Sequence, residues 1–458
     1  MVDGLTQSND LKFWPPDERK FCLPLFNRAT YARCKALIIE LSKQHNTKVN
    51  VLLSKSLWKD CSYIRKELKG IANCVNWAVP ETKGTHNGAA VKSGVVMSFF
   101  TEHLREHEYT AIVIVADRFE MLPCAYVAHL YNLPIIHIQG GEITGNIDDP
   151  CRHGITQLSD YHFVATELAR EYVREMGIST DRIYWTGCPS VDLCVGVQRH
   201  NTNIKDRYMV CFFHSETDKK ANGFEQTEKV MKVVLDMCAK HDLYCYWYWP
   251  NCDPGRDKVV KFLNECTAFS NGAVIKAENK PPEEFIKFLA KARVAIGNSS
   301  VLFRECSFLG VPAVNIGDRQ GYRERGMNLI QASYGYKNLA SAIEYQLGQV
   351  KYDRNYLYGN GKAGAWIAHH LTQVEEFTKK GTLTYPMDHR FKEDHFGEER
   401  FKQHAEIARI RRLMSDGGKP VSYTRFNKKG PRVERTKKQL GRAGRKRPAL
   451  PSEPDSPK

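Results

Sequence analysis

The chain repeatedly sets a short, uninterrupted apolar run ahead of a longer amphipathic stretch, and it does so in two series. In the first, candidate strands Val49–Leu53, Ala111–Ala116, Ile135–Ile138, Tyr161–Val164 and Arg182–Trp185 are spaced by candidate helices Tyr31–His45, Val91–Glu106, Met121–Tyr131 and Glu167–Met176. Strands apolar on both faces must be covered on both, which a parallel sheet between two layers of helices achieves. A second series follows the polar segment Gln198–Asp206, a candidate linker. Its strands are Met209–Phe213, Leu243–Trp249, Ala273–Ile275, Val294–Ile296 and Ala313–Ile316; its helices are Gly223–His241, Arg256–Cys266, Glu283–Ala292 and Val301–Leu309. The expected class is α/β: two Rossmann-like, doubly wound domains at residues 21–200 and 205–377, with a ligand cleft between the carboxyl ends of their strands. No fixed-period repeat is present, which argues against a solenoid.

Charge separates a further segment. Of the net charge of +15, +11 lies between Arg411 and Lys458, where 15 Lys/Arg face four Asp/Glu. The folded body is therefore not a basic protein. Residues 378–458 form a basic extension in which 391–414 has the pattern of a charged helix and 421–458 reads as disordered. Nucleic acid or an anionic surface is the partner class such a run suits. No aromatic stacking pattern accompanies it, so a solvated extension is the preferred reading.

Residues 1–20 read as a ragged leader without the apolar segment of a secretion signal, and no run reaches the length of a membrane span. The 14 cysteines include no CxxC pair, and Cys211 and Cys245 lie inside apolar runs. Buried reduced thiols, a cytoplasmic location and no membrane partner are expected.

Potential chemistry is densest in PIIHIQGGEITGNIDDPCRH, residues 134–153. A buried strand runs into Gly140-Gly141, surrounded by His137, Gln139, Glu142, Asp148, Asp149, Arg152 and His153. Asp148 and Asp149 at a helix start, with Arg152 and His153 within the next turn, lie on adjacent faces of that turn. Asp117 follows strand Ala111–Ala116, placed either for acid–base work or as a helix N-cap. In IGNSSVLFRE, residues 296–305, Ser299 and Ser300 open a candidate helix whose dipole and donors suit a phosphate, and Glu305 suits ribose hydroxyls. Arginines in GDRQGYRERG, residues 317–326, add to that cradle. His214, after Met209–Phe213, would face the same cleft edge, and Asn251 sits in a turn that would reach it. His103 and His107, four apart among charged neighbours, read as a solvated helix face and not as metal ligands.

The ordered series NRATY (27–31), ADRFE (116–120), HIQGGEITGNIDDPCRH (137–153), TGCPSVD (186–192), PNCDPG (250–255), IGNSSVLFRE (296–305), GVPAVNIGDRQGYRERG (310–326) and YGNGKA (358–363) resembles the hydrolysing UDP-N-acetylglucosamine 2-epimerases of the sialic acid pathway. The resemblance runs from about Phe26 to Phe377 and implies a GT-B arrangement, a UDP-sugar substrate, and no metal or nicotinamide cofactor. It implies anti elimination of UDP to a 2-acetamidoglucal, followed by hydration to free N-acetylmannosamine. Carried onto this chain, acid–base positions fall on Asp117 and Asp148, and a site-polarising position on His214. Diphosphate or nucleotide contacts fall on Arg28, Arg152, His137, Asn251, Ser299, Ser300 and Arg323, and a ribose contact on Glu305. Gln139 stands where many members carry a catalytic Glu. An amide exchanges no proton at neutral pH, which makes Glu142 a candidate for the missing carboxylate. Other departures are Val115 for a His, Thr30 for an Asp, Lys55-Ser56-Leu57 for Ser-His-Leu, and Leu302 for a small residue. A GT-B glycosyltransferase, a non-hydrolysing 2-epimerase and a catalytically silent sugar-nucleotide binder share the scaffold and stand as alternatives. A homo-oligomer, dimer or tetramer, is expected.

Overall fold

The computed structural model describes residues 18–82, 85–198, 207–214, 216, 223–250, 256–349, 352–374 and 376–380. Its strands form two all-parallel sheets. The first contains β1 (Arg19–Leu25), β2 (Thr47–Ser54), β3 (Asn73–Trp77), β4 (Ala111–Val115), β5 (Ile135–Ile138), β6 (Tyr161–Val164) and β7 (Ile183–Trp185), in the order β3-β2-β1-β4-β5-β6-β7. The second contains β8 (Tyr208–Phe212), β9 (Tyr244–Tyr248), β10 (Val274–Ala277), β11 (Val294–Gly297), β12 (Ala313–Ile316) and β13 (Leu329–Ala332), in the order β10-β9-β8-β11-β12-β13. These are the two doubly wound α/β sheets expected from the apolar runs. In β4 and β8 every residue is buried. One face of the first sheet packs on Leu37, Ile38 and Leu41, the other on Val96, Phe100 and Ala125.

Strand order reverses once in each sheet, between β1 and β4 and between β8 and β11. Loops leaving neighbouring strands at such a point diverge to opposite faces and leave a crevice. Gly297 ends β11 at φ +133°, and a Cβ there would lie 2.1 Å from the Phe212 carbonyl oxygen. Only glycine permits the two strands to meet so closely at the second switch point.

Some elements depart from expectation. The leader does not extend to residue 20: Arg19 and Lys20 begin β1, a central strand. Pairing with β2 covers all its residues, whereas pairing with β4 stops at Cys22, ahead of Pro24, which has no N–H to give. β3, an edge strand, and β13 lie outside both expected series. The expected helix Val301–Leu309 is instead a 3₁₀ turn, Ser300–Leu302, and a five-residue helix, Glu305–Leu309. His103 is not on a solvated face: it is buried, its Nε2 is 2.8 Å from the Tyr109 hydroxyl, and its ring stacks on His107.

Helix Ala363–Gln373 returns to the first sheet, where Ile367, Ala368 and Leu371 join the core of Leu37 and Ile38. Asp192 accepts from the Ala363 and Gly364 N–H groups (2.9 and 2.6 Å), and Arg19 donates to the Leu371 and Val374 carbonyls (both 2.7 Å). Residues 199–206 of the expected linker, Asn251, and residues 381–458 of the basic extension, with its candidate helix at 391–414, lie outside the described residues. Among the described residues no helix is long and apolar enough to cross a membrane.

Candidate active site

The two switch points open onto one cleft that is continuous with solvent. Arg28, Asp117 and Asp148 line it from the first sheet; His214, Ser299, Ser300, Glu305 and Arg323 line it from the second. The His214 N–H donates to the Asn298 side chain, which donates back to the His214 carbonyl, both at 2.8 Å. That reciprocal pair ties the loop after β8 to the loop after β11.

The long helix facing the cleft is not the one after β11 but Arg28–Ser42, capped by Asn27, whose Oδ1 accepts from the Thr30 N–H at 2.8 Å. Asn27, Arg28, Ala29 and Thr30 all line the cleft. A helix N-terminus with an adjoining Arg favours an anion. The expected dipole at Ser299-Ser300 is replaced by a short 3₁₀ turn, so those serines contribute hydroxyls and backbone N–H groups only.

Asp117 caps no helix. Its carboxylate pairs with Arg152, which is fully buried, and lies 3.9 Å from the Arg33 guanidinium. Burial opposes ionisation of Asp117, but Arg152 and Arg33 outweigh it and hold the carboxyl well below the usual carboxylate range. Arg152 also donates to the Asp149 carboxylate and, at 2.6 Å, to the Glu142 carbonyl. Arg152 therefore supports the site from beneath and does not line the cleft. The adjacent acids divide the work. Asp149 accepts from the Thr144 hydroxyl (2.6 Å) and the Gly145 N–H (2.7 Å), a structural role, while Asp148 lines the cleft.

His137 and Gln139 are fully buried beneath the cleft. Ala116 and Gln139, which follow β4 and β5, both have left-handed backbones (φ +64° and +67°), a conformation that costs a non-glycine residue about 1–3 kcal/mol. The strain at Ala116 turns the chain immediately before Asp117. It is held by the His137 Nε2–H donating to the Ala116 carbonyl at 3.0 Å and by the Ala116 N–H donating to the Ile138 carbonyl at 2.9 Å. The Gln139 amide donates to the Cys188 sulfur at 2.7 Å. Glu142 accepts from Arg304 at 2.6 Å and pairs with Arg323; burial raises its carboxyl, but the two arginines bring it down to about 2. Burial pushes the Glu305 carboxyl up, against the pull of Arg304.

Burial lowers both His103 and His137 to about 4. Between pH 6.5 and 4 the unfolded chain binds protons on these rings that the native state does not, so their stabilisation is complete above pH 6.5 and lost as pH falls through 4. Urea midpoints are expected to drop from pH 7 to pH 5. His103→Gln, which keeps a donor for Tyr109 but cannot be protonated there, is expected to flatten that drop.

Several cleft residues were not singled out from sequence. Arg33 reaches across to donate to the Ser300 hydroxyl at 3.1 Å, and Phe212, Tyr248 and Phe285 form an aromatic wall. The rings of Phe212 and Tyr248 stack at 5.0 Å. Arg33 lies five residues after Arg28 in NRATYAR, and that second cation near a helix start was the available signal.

Residues 70–372 match the family model for UDP-N-acetylglucosamine 2-epimerase. A hydrolysing UDP-N,N'-diacetylbacillosamine 2-epimerase of Legionella pneumophila is 29% identical over 289 residues, covering 60% of this chain and 74% of that protein. A UDP-N-acetylglucosamine 2-epimerase of Neisseria meningitidis serogroup B is 28% identical over 289 residues, covering 61% and 74%. The structure of the Methanocaldococcus jannaschii UDP-GlcNAc 2-epimerase in complex with UDP-GlcNAc and UDP shares the fold, with a TM-score of 0.64 and 18% identity over 77% of this chain and 99% of that one. The family match spans most of the chain, including the segments that carry Asp117, Asp148 and the β11 switch point, and it is on this basis that the chain belongs to the UDP-N-acetylglucosamine 2-epimerase family.

Proposed function

We propose that the protein is a hydrolysing 2-epimerase acting on UDP-GlcNAc or a related UDP-2-acetamido sugar and releasing UDP and a free N-acetylmannosamine-type sugar, a precursor for sialic acid synthesis. The observation that carries this reading is the placement of two carboxylates, Asp117 and Asp148, in one cleft with Arg28, Arg323 and a capped helix N-terminus. Two carboxylates facing one cleft beside a cationic anion site suit transfer of a proton from and to a sugar carbon as an anionic group departs.

Asp117, ionised across the working pH range, accepts the proton from sugar C2. The C2–H electron pair forms the C1=C2 bond as the C1–O bond breaks and UDP leaves with its electrons. Arg28, Arg323 and the N-terminus of Arg28–Ser42 hold the departing diphosphate. Water then adds across the glucal: its hydroxyl goes to C1 and a proton returns to C2 from the other face, with Asp148 as the second proton-transfer group. His214 and Glu305 orient the substrate, and the aromatic wall packs the base.

A second reading, a sugar-nucleotide binder without turnover, is favoured by one observation: the position of the family's Glu is an amide, Gln139, buried against Cys188. Incubation with UDP-GlcNAc in D₂O, followed by proton NMR, separates the readings. Free N-acetylmannosamine with deuterium at C2 is expected. UDP-N-acetylmannosamine as the product would make the protein a non-hydrolysing epimerase, and UDP binding without consumption of UDP-GlcNAc would make it a silent binder.

A further inference from the structure

We infer that Glu142 is a positioning residue: from the first sheet it fixes Arg323 of the second against the wall of the cleft, and so sets the affinity for the diphosphate of a nucleotide. This rests on the reading of the cleft as a UDP-sugar site. Glu142 follows β5, is 6% exposed, and does not line the cleft. One of its oxygens, Oε2, serves both the Arg304 Nη2 group at 2.6 Å and the Arg323 Nη1 group. Arg323 does line the cleft, and its Nε donates to Gln320 Oε1 at 2.7 Å. With Nε and Nη1 engaged on the protein side, Nη2 is the end left for a ligand.

The same carboxylate is what makes the arrangement stable. Arg304 and Arg323 are 2% and 5% exposed, and two buried guanidinium groups sharing one counter-charge repel each other once it is removed. Neighbouring contacts join the same two loops: the Asn146 side chain donates to the Arg319 carbonyl at 3.1 Å, and the Tyr322 ring lies against Gly145 so closely that a Cβ there would meet it at 2.3 Å. A carboxylate enclosed by two guanidinium groups outside the cleft has no route to a sugar proton, so its effect reaches the substrate through Arg323.

The test is UDP affinity by calorimetry together with the pH profile of kcat. Glu142→Gln is expected to weaken UDP by about tenfold or more, the scale of a lost charge-assisted contact, while the pH limbs of kcat stay in place. The double variant with Arg323→Gln is expected to bind UDP no more weakly than Arg323→Gln alone. Unchanged UDP affinity in Glu142→Gln, a double variant whose loss is the product of the single losses, or a displaced pH limb each overturns the inference. If the Gln variant does not fold, Glu142→Asp keeps the charge but withdraws it by one methylene. Its UDP affinity is expected to lie between those of the unmodified protein and Arg323→Gln, and equality with the unmodified protein overturns the inference. Failure of the unmodified protein to bind UDP would instead overturn the reading of the cleft itself, and this inference with it.

Discussion

Asp117→Asn is expected to lower turnover at least about a thousandfold while leaving UDP affinity within about threefold, the scale on which a proton-transfer group separates from binding. The substitution changes charge and almost nothing in shape. The asparagine oxygen still accepts from Arg152, and Arg152 keeps Asp149 and the Glu142 carbonyl. The backbone before the site stays turned because His137 holds Ala116 rather than Asp117. Coupled assays of UDP release, read beside UDP titrations, check the prediction. Turnover equal to that of the unmodified protein would reduce Asp117 to a counter-ion for Arg152.

The largest loss of stability is expected from Arg152→Met. The buried guanidinium joins Asp117, Asp149 and the Glu142 carbonyl, and so binds the loop after β4 to the loop after β5 and to the helix Asp148–Leu158. Removing one partner of a buried charge cluster costs about 3–5 kcal/mol, here by leaving the Asp117 carboxylate with the more distant Arg33 and Arg323. Asp149 retains Thr144 and Gly145, so the loss should centre on Asp117. A fall of that size in urea-denaturation free energy, with an unchanged slope, is the expected result. Arg152→Lys should recover little of it, because one ammonium cannot serve three acceptors in a fixed plane.

Legibility in the sequence followed burial. β4, β5, β8 and β12 are buried throughout and stand out as apolar runs, and helix Gly223–His241 matches its expected bounds. β1 was obscured by Arg19, Lys20 and Pro24, which occur where the ladder to β4 is absent. β3 was obscured because Asn73 and Asn76 are exposed on an edge strand. At the cleft, Asp117, Asp148, Ser299 and Ser300 were readable because each follows a buried strand. Arg33 was not, since one helix does not disclose that a second sheet will face it. The residue pattern alone did not separate Asp148 from Asp149; only the family resemblance picked Asp148, and in the fold the turn at Thr144 and Gly145 captures the other carboxylate, Asp149.

The return of helix Ala363–Gln373 to the first sheet bears on the order in which the protein can assemble as it is made. The ribosome releases the strands of the first sheet early, yet the face of Leu37 and Ile38 gains Ile367, Ala368 and Leu371 only after the whole second sheet has been synthesised. Domains generally fold as units, N-terminal first during synthesis; here the first draws part of its core from a helix that follows the whole second sheet. A nascent polypeptide halted before residue 363 would therefore lack the part of that core supplied by Ile367, Ala368 and Leu371.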